Sequence, residues 1–166
     1  MELIVEPDGV LINGLKRYRC ALGRTGVSKQ KHEGDGRTPV GVFQLLQVYY
    51  RGDRVAAPET GLPVARLGAD DGWCDDPNHG DYNSFVRLPH PGNCEALWRD
   101  DHAYDLIVTI GHNARPRVPG LGSAIFIHVA GVDYPPTEGC VALALADLEE
   151  ILLTCTPRTV IRIKPA

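Results

Sequence analysis

The sequence predicts a mainly β fold, in a single domain of residues 1–166, with one clear helix near the C-terminus. Short apolar runs separated by turn residues fill the first third of the chain, which is typical of a β-meander. Late in the chain, leucine and isoleucine recur at helical spacing. Apolar residues make up 43% and charged residues 23% of the sequence, as in ordinary soluble domains. A chain of this length buries roughly 68–70% of its unfolded surface, so its core needs no disulfide or metal.

The N-terminal strands are predicted from apolar runs bounded by turn residues. Asn13-Gly14 lies between two such runs and is a strong signal for a two-residue hairpin. A surface loop is expected over 23–37, because this segment is polar and rich in glycine. Strands are therefore predicted over 2–5, 10–12, 15–22 and 42–50.

The middle of the chain, residues 51–101, is rich in glycine, proline, aspartate and asparagine and has little periodicity. Long irregular excursions in compact domains are usually functional. A short helical turn is expected within this one, over 94–99.

Regular structure returns in the C-terminal third, where strands are predicted over 104–110, 124–129 and 160–163. Between the last two strands, apolar residues repeat at helical spacing ahead of Pro157. This pattern predicts a helix with one face in the core, formed by Leu145, Leu148, Ile151 and Leu152.

Charge and hydropathy exclude two classes of partner. The formal charge is −4 and the basic residues are scattered, which argues against a nucleic-acid-binding protein. No stretch approaches the ~20 apolar residues that span a bilayer, so no membrane insertion is predicted. Residues 1–8 are strand-like and lack the features of a signal peptide, which leaves a cytoplasmic location open. The sequence carries no signal of oligomeric state.

The five cysteines, at positions 20, 74, 94, 140 and 155, are an odd number without any Cys-x-x-Cys pair. Their wide spacing matches neither a disulfide framework nor a structural zinc site. Cys74 and His79 also match no common pair of metal ligands, and nothing in the sequence supplies the remaining ligands. No metal is therefore expected.

The informative residues for chemistry are His128 and Cys140. Period-two alternation places Ala124, Phe126 and His128 on one face of their strand, opposite the face with Ile127. A turn rich in glycine and proline follows, and Cys140 is expected just before the helix that starts near residue 144.

That placement suits a cysteine nucleophile. A helix N-terminus and a neighbouring imidazole would both lower the thiol pKa from its usual value of about 8.5. The amides of Gly139 and Cys140 would form an oxyanion hole, where one donor is worth on the order of 3 kcal/mol. The spacing of His128 and Cys140 is weak evidence by itself, and on spacing alone a structural role for both residues stays open.

His128, Thr137, Gly139 and Cys140 resemble the catalytic motif of the L,D-transpeptidase (YkuD) family, a histidine followed by Ser/Thr-His-Gly-Cys. The segment 34–43, Gly-Asp-Gly-Arg-Thr-Pro-Val-Gly-Val-Phe, is similar to that family's Thr-Pro-x-Gly-x-Phe segment. Trp73-Cys-Asp-Asp76, the segment 120–130 and the C-terminal helix also resemble one branch of the family, so the similarity covers most of the chain.

This resemblance implies a YkuD-like β-sandwich and peptidoglycan chemistry. Cys140 would attack a stem-peptide carbonyl with His128 as base, form a thioester, and pass the acyl group to an amine of a second stem peptide. It also implies a location at the cell envelope, acylation of Cys140 by a carbapenem, and no cofactor. A hydrolase that resolves the same thioester with water, an L,D-carboxypeptidase or amidase, stays open, as does a wall-binding module without activity.

Two positions depart from the family motif: the histidine usually found before Gly-Cys is Glu138, and the polar residue often found two positions after the cysteine is Ala142. Glu138 would oppose ionisation of the thiol unless it points away or pairs with an arginine. Four further residues are candidates for substrate binding, each with a structural role as the alternative: Thr137, Trp73, Asp75 and His112.

Overall fold

The computed structural model describes residues 1–166. One helix, α1 (Leu145–Leu152), accompanies fourteen strands. The strands are β1 (Glu2–Glu6), β2 (Val10–Asn13), β3 (Lys16–Ala21), β4 (Val27–Ser28), β5 (Thr38–Pro39), β6 (Gly41–Tyr50), β7 (Val64–Arg66), β8 (Asp71–Cys74), β9 (Ser84–Arg87), β10 (Cys94–Ala96), β11 (Leu106–Ile110), β12 (Phe126–Val129), β13 (Val141–Leu143) and β14 (Val160–Ile163).

The main sheet closes on itself as an eight-stranded barrel. Its strands follow the order β11-β12-β13-β3-β2-β1-β14-β6, and β6 pairs back with β11. β7 adds to the second half of β6 as a parallel strand. Closure leaves few free sheet edges, and the alternation of side chains then separates an inner face from an outer one. The predicted mainly β fold with one C-terminal-region helix is thereby confirmed.

The barrel interior is a single apolar core of 22 buried residues. Ile125, Ile127 and Val129 of the β12 segment point into this core, as the period-two pattern predicts. The helix α1 adds Leu148, Ile151 and Leu152, which are at most 2% exposed. No helix in this structure has the length and apolar character needed to cross a bilayer.

A second layer covers part of the barrel's outer face. β10, β8 and β9 form a separate three-stranded sheet within the middle excursion. Leu67, Leu97 and Tyr104 of this excursion pack against Ile107, Phe126 and Cys140 of the barrel wall. We call the segment 67–104 the roof, because it covers the outer face of β11, β12 and β13 and so encloses space there.

Three local expectations are wrong. Residues 94–99 contain the strand β10 and no helical turn, because pairing with β8 overrides the local preference of this segment. The first hairpin turns at Gly14-Leu15, with Asn13 paired to Lys16, and Gly14 takes the positive φ of 61°. Cys140 precedes the strand β13, which pairs with β12 and separates the cysteine from α1.

The contribution of α1 to the core can be tested by truncation. Replacing Ile151 with alanine leaves a cavity in the barrel, so we expect Ile151→Ala to lower the free energy of unfolding by about 2–5 kcal/mol. Leu153, directly after α1 and 60% exposed, is the matched control, and Leu153→Ala should stay within about 0.5 kcal/mol of the parent. Urea unfolding followed by circular dichroism measures both, and equal losses would contradict this packing.

Candidate active site

His128 and Cys140 lie on the same face of two neighbouring strands. β12 and β13 pair in parallel, with His128 opposite Ala142. Paired residues in a sheet point to the same side, and Cys140 is two residues before Ala142, so it shares that side with His128. This side is the outer face of the barrel, under the roof.

Both side chains line one cavity of about 560 Å³ between the barrel wall and the roof. Thr137 and Asp75, two of the predicted substrate-binding residues, line the same cavity. Glu95 from β10 belongs to the cavity as well. The predicted nucleophile and base are therefore brought together, although no hydrogen bond joins the His128 ring to the Cys140 sulfur.

The Cys140 thiol is buried and held by the backbone of the strand beside it. Its Sγ donates to the carbonyl of Ala124 at 3.2 Å and accepts from the amide of Phe126 at 3.3 Å. Burial raises the pKa of this thiol to about 12. In the free protein the sulfur is therefore protonated at neutral pH.

The expected lowering of the thiol pKa by a helix dipole is wrong. The three residues of β13, at about 3.3 Å each, lie between Cys140 and the start of α1. The field of a helix end falls off within its first turn, so it does not reach the sulfur.

The hydrogen bond of His128 identifies its free nitrogen. Nδ1 lies 2.9 Å from the carbonyl oxygen of Val129, which can only accept, so Nδ1 carries the proton of the neutral ring. Nε2 is then the unprotonated nitrogen, as a general base requires. Burial lowers the pKa of His128, which keeps the ring neutral at pH 7. The ring of Tyr104 packs edge-on against the imidazole, with centroids 5.4 Å apart, and restricts its motion.

The loop that carries Cys140 is fixed by Thr137. The Thr137 hydroxyl donates to the carbonyl of Cys140 at 2.7 Å and accepts from the amide of Gly139 at 3.1 Å. The Thr137 backbone is bonded in turn to Leu22 and Arg24, at the end of β3. Thr137 thus holds the loop, in agreement with the structural alternative for this residue.

Gly139 is required by close packing. Its φ is 136°, and a Cβ at this position would lie 2.7 Å from the carbonyl oxygen of Arg37. Arg37 directly precedes Thr38, whose hydroxyl accepts from the amide of Gly23 at 2.8 Å. The loop that carries Cys140 therefore packs against the start of the Thr-Pro-x-Gly-x-Phe segment.

The expected pair of oxyanion donors is only half available. The Gly139 amide is already bonded to Thr137, whereas the Cys140 amide makes no hydrogen bond within the protein. Ser123 supplies another unpaired group, because its Oγ is buried on the cavity wall without a partner.

Glu138 points away from the thiol. Its side chain is 77% exposed, and an oxygen lies 3.0 Å from Nε of Arg24. The arginine compensates its charge, so the glutamate that replaces histidine at this position does not oppose ionisation of the thiol.

Trp73 and His112 lie elsewhere. They line a neighbouring cavity of about 230 Å³, whose wall includes Phe126, and the Trp73 ring packs edge-on against the Phe126 ring with centroids 5.0 Å apart. The indole N–H of Trp73 donates to Asn83 at 3.0 Å, and the His112 ring bonds to the carbonyl of Leu121 at 3.0 Å. The structure therefore does not place these two residues beside Cys140.

Several charged residues of the cavity carry no sequence motif and escape sequence reasoning. The Tyr104 hydroxyl donates to Glu95 at 2.5 Å, and burial raises the pKa of Glu95. Two cations and further acids complete the wall: Lys31, Arg99, Glu33 and Asp101. In the sequence, only their position within or beside irregular segments could have pointed to these residues. Such a position indicates a functional region but no individual residue.

Comparison with known proteins adds one match. The model of the L,D-transpeptidase catalytic domain (YkuD) matches residues 4–163, nearly the whole chain. No curated protein and no solved structure matches the sequence.

The role of Thr137 predicts unequal effects at adjacent positions. Thr137→Val removes the acceptor of the Gly139 amide, and an unpaired buried amide costs about 1–3 kcal/mol of unfolding free energy. Glu138→Gln breaks only an exposed ion pair, worth about 0–1 kcal/mol. Urea unfolding of both variants tests this difference, and a larger loss in Glu138→Gln would contradict the assignment.

Proposed function

Because the chain belongs to the YkuD family of L,D-transpeptidase catalytic domains, we propose that it joins peptidoglycan stem peptides, with Cys140 as nucleophile and His128 as base. One observation carries the proposal: the two side chains lie on the same face of paired parallel strands and line one cavity. The family implies peptidoglycan as substrate and action at the cell wall.

The first step follows from the protonation states. The neutral ring of His128 takes the Sγ proton through Nε2 while the sulfur attacks the carbonyl carbon of the donor peptide. The thiol has its pKa raised to about 12, so proton transfer accompanies the attack instead of preceding it. The bond between Sγ and the Ala124 carbonyl must break for the thiol to turn toward the substrate.

Collapse of the tetrahedral intermediate completes acylation. The amide bond breaks, the amine of the leaving D-residue takes the proton from His128, and the acyl group remains on Cys140 as a thioester. An amine of a second stem peptide then attacks the carbonyl carbon of this thioester and passes its proton to His128. The bond between this carbon and Sγ breaks, and the leaving sulfur takes the proton from His128, which restores the thiol. The free amide of Cys140 is the available backbone donor for the developing oxyanion.

The charges of the cavity fit a zwitterionic peptide. Asp75 and Glu33 supply carboxylates for the ammonium group of a diamino acid, and Arg99 supplies a guanidinium for a carboxylate. Asp75 is fixed by a 2.7 Å bond from the Asn93 side chain. Trp73 and His112 act at most on parts of the substrate that extend into the neighbouring cavity.

Loss of the sulfur is the first test of this proposal. Cys140→Ala should abolish both the thioester adduct and turnover of purified stem peptides, as measured by mass spectrometry. Cys155→Ala, which removes another buried sulfur from the barrel core, is the matched control and should retain activity. Cross-linked dimers among the products identify a transferase, and trimmed monomers alone identify the hydrolase. Turnover by Cys140→Ala would sink the mechanism.

The pH dependence of kcat/KM tests whether His128 and Cys140 are both neutral before the reaction. Burial lowers the pKa of His128 from 6.5, so kcat/KM should fall only below the usual titration range of histidine, where the ring gains a proton and can no longer act as base. The profile should stay flat up to about pH 9, because the thiol ionises only near pH 12. His128→Gln should lower kcat/KM by about 10²–10⁴ and remove the acid limb. A rate that rises between pH 7 and 9 would instead indicate attack by an exposed, freely ionising thiol.

A further inference from the structure

The roof contains a pair of cysteines that the proposed reaction does not use. Cys74 on β8 and Cys94 on β10 are directly opposite each other in an antiparallel pair. Backbone hydrogen bonds join Asp75 to Asn93 and Leu97 to Asp71 on either side, so the cysteines occupy a non-hydrogen-bonded position. Such positions bring Cα atoms to about 4.5 Å, within the range of about 4.4–6.8 Å that a disulfide spans.

A histidine and a carboxylate stand behind this pair. Nδ1 of His90 lies 3.3 Å from Sγ of Cys94, and Nε2 of the same ring lies 2.9 Å from a carboxylate oxygen of Asp81. The carboxylate holds the proton on Nε2, so Nδ1 is an acceptor shared between the Cys94 thiol and the Gly92 amide, which donates to it at 3.0 Å. The two sulfurs and Nδ1 all lie within 4.8 Å of one another.

We propose that Cys74 and Cys94 form a redox-active dithiol that exchanges with disulfide reagents, with His90 as the proton acceptor for Cys94. Cys94 is the partly exposed thiol of the pair, whereas Cys74 is fully buried. An external reagent can therefore reach Cys94 first, and Cys74 is placed to resolve the product.

The chemistry balances without a further reactant. Cys94 gives its proton to His90 and attacks a disulfide R–S–S–R; the S–S bond breaks, and the leaving thiolate takes the proton from His90. Cys74 then attacks Sγ of Cys94, releases the second thiol with its own proton, and closes the intramolecular disulfide. The two cysteines are oxidised and the reagent is reduced to two thiols.

A metal site fits the same atoms less well. Cys74, His90 and Cys94 offer three donors, and a second group of possible ligands, His79, Asp81 and His90, shares only His90 with them, whereas a structural zinc ion takes four donors at one point.

A disulfide between Cys74 and Cys94 would act on the geometry of the proposed active site. Asp75 follows Cys74 and Glu95 follows Cys94, and both side chains line the cavity of Cys140. A disulfide between the two strands fixes the separation of these carboxylates. The covalent step itself does not depend on the proposed transpeptidase activity.

Oxidation of the full chain tests the proposal. The reduced protein is incubated with oxidised glutathione at pH 8.5, because burial, together with Cys74, raises the pKa of Cys94 to about 11 and slows exchange at neutral pH. Free thiols are then alkylated and the protein is digested with trypsin. We expect the peptides 67–87 and 88–99 to be joined, with the loss of two hydrogen atoms, since Arg87 is the only tryptic site between the cysteines.

Variants separate the roles of the three residues. Cys94→Ser should abolish the link, Cys74→Ser should accumulate glutathione on Cys94, and His90→Gln should slow the first step about tenfold, the effect of one pKa unit on the thiolate fraction. Cys20→Ser, which alters a buried cysteine of the barrel core, is the matched control and should keep the link. The proposal is overturned if both cysteines are still free thiols after oxidation, so that alkylation modifies both. It is also overturned if the purified protein holds one zinc ion per chain that Cys94→Ser removes.

Discussion

The parallel pairing of β12 with β13 is the constraint on which the candidate site depends. Because His128 lies opposite Ala142, Cys140 is directed to the outer face of the barrel, beside the same strand that carries the imidazole. A shift of this register by one residue would turn the cysteine into the apolar interior. Barrel closure and the 22-residue core keep the register fixed, so the stability of the fold and the geometry of the site have one cause.

Burial sets the protonation states of the proposed nucleophile and base. Removing water disfavours both the thiolate and the imidazolium, so the pKa of Cys140 rises and the pKa of His128 falls. The result is a neutral pair in which His128 is ready to accept a proton and the thiol is held by backbone groups. The reactivity proposed for Cys140 therefore belongs to the complex with substrate, in which the sulfur leaves the Ala124 carbonyl.

The roof converts the outer face of a barrel into an enclosed space. Leu97 and Tyr104 anchor it to Phe126 and Ile107, and its small sheet presents Glu95 and Asp75 to the cavity. A segment without clear periodicity thus does two things: it excludes water from the cysteine, and it supplies charged groups suited to a peptide. The cysteine pair of β8 and β10 lies in this layer, where a covalent link would act on the cavity wall without disturbing the barrel.

Local patterns of apolar and turn residues were sufficient to predict seven of the eight barrel strands, all but β13, together with the common face of Ile125, Ile127 and Val129, and α1. The motif residues likewise pointed to His128 and Cys140. Local patterns state which way a side chain faces, but not which distant strand lies beside it. Tertiary pairing alone decided that Cys140 precedes a strand, that Trp73 and His112 line a different cavity, and that Cys74, His90 and Cys94 meet, because each depends on strand contacts between segments remote in sequence.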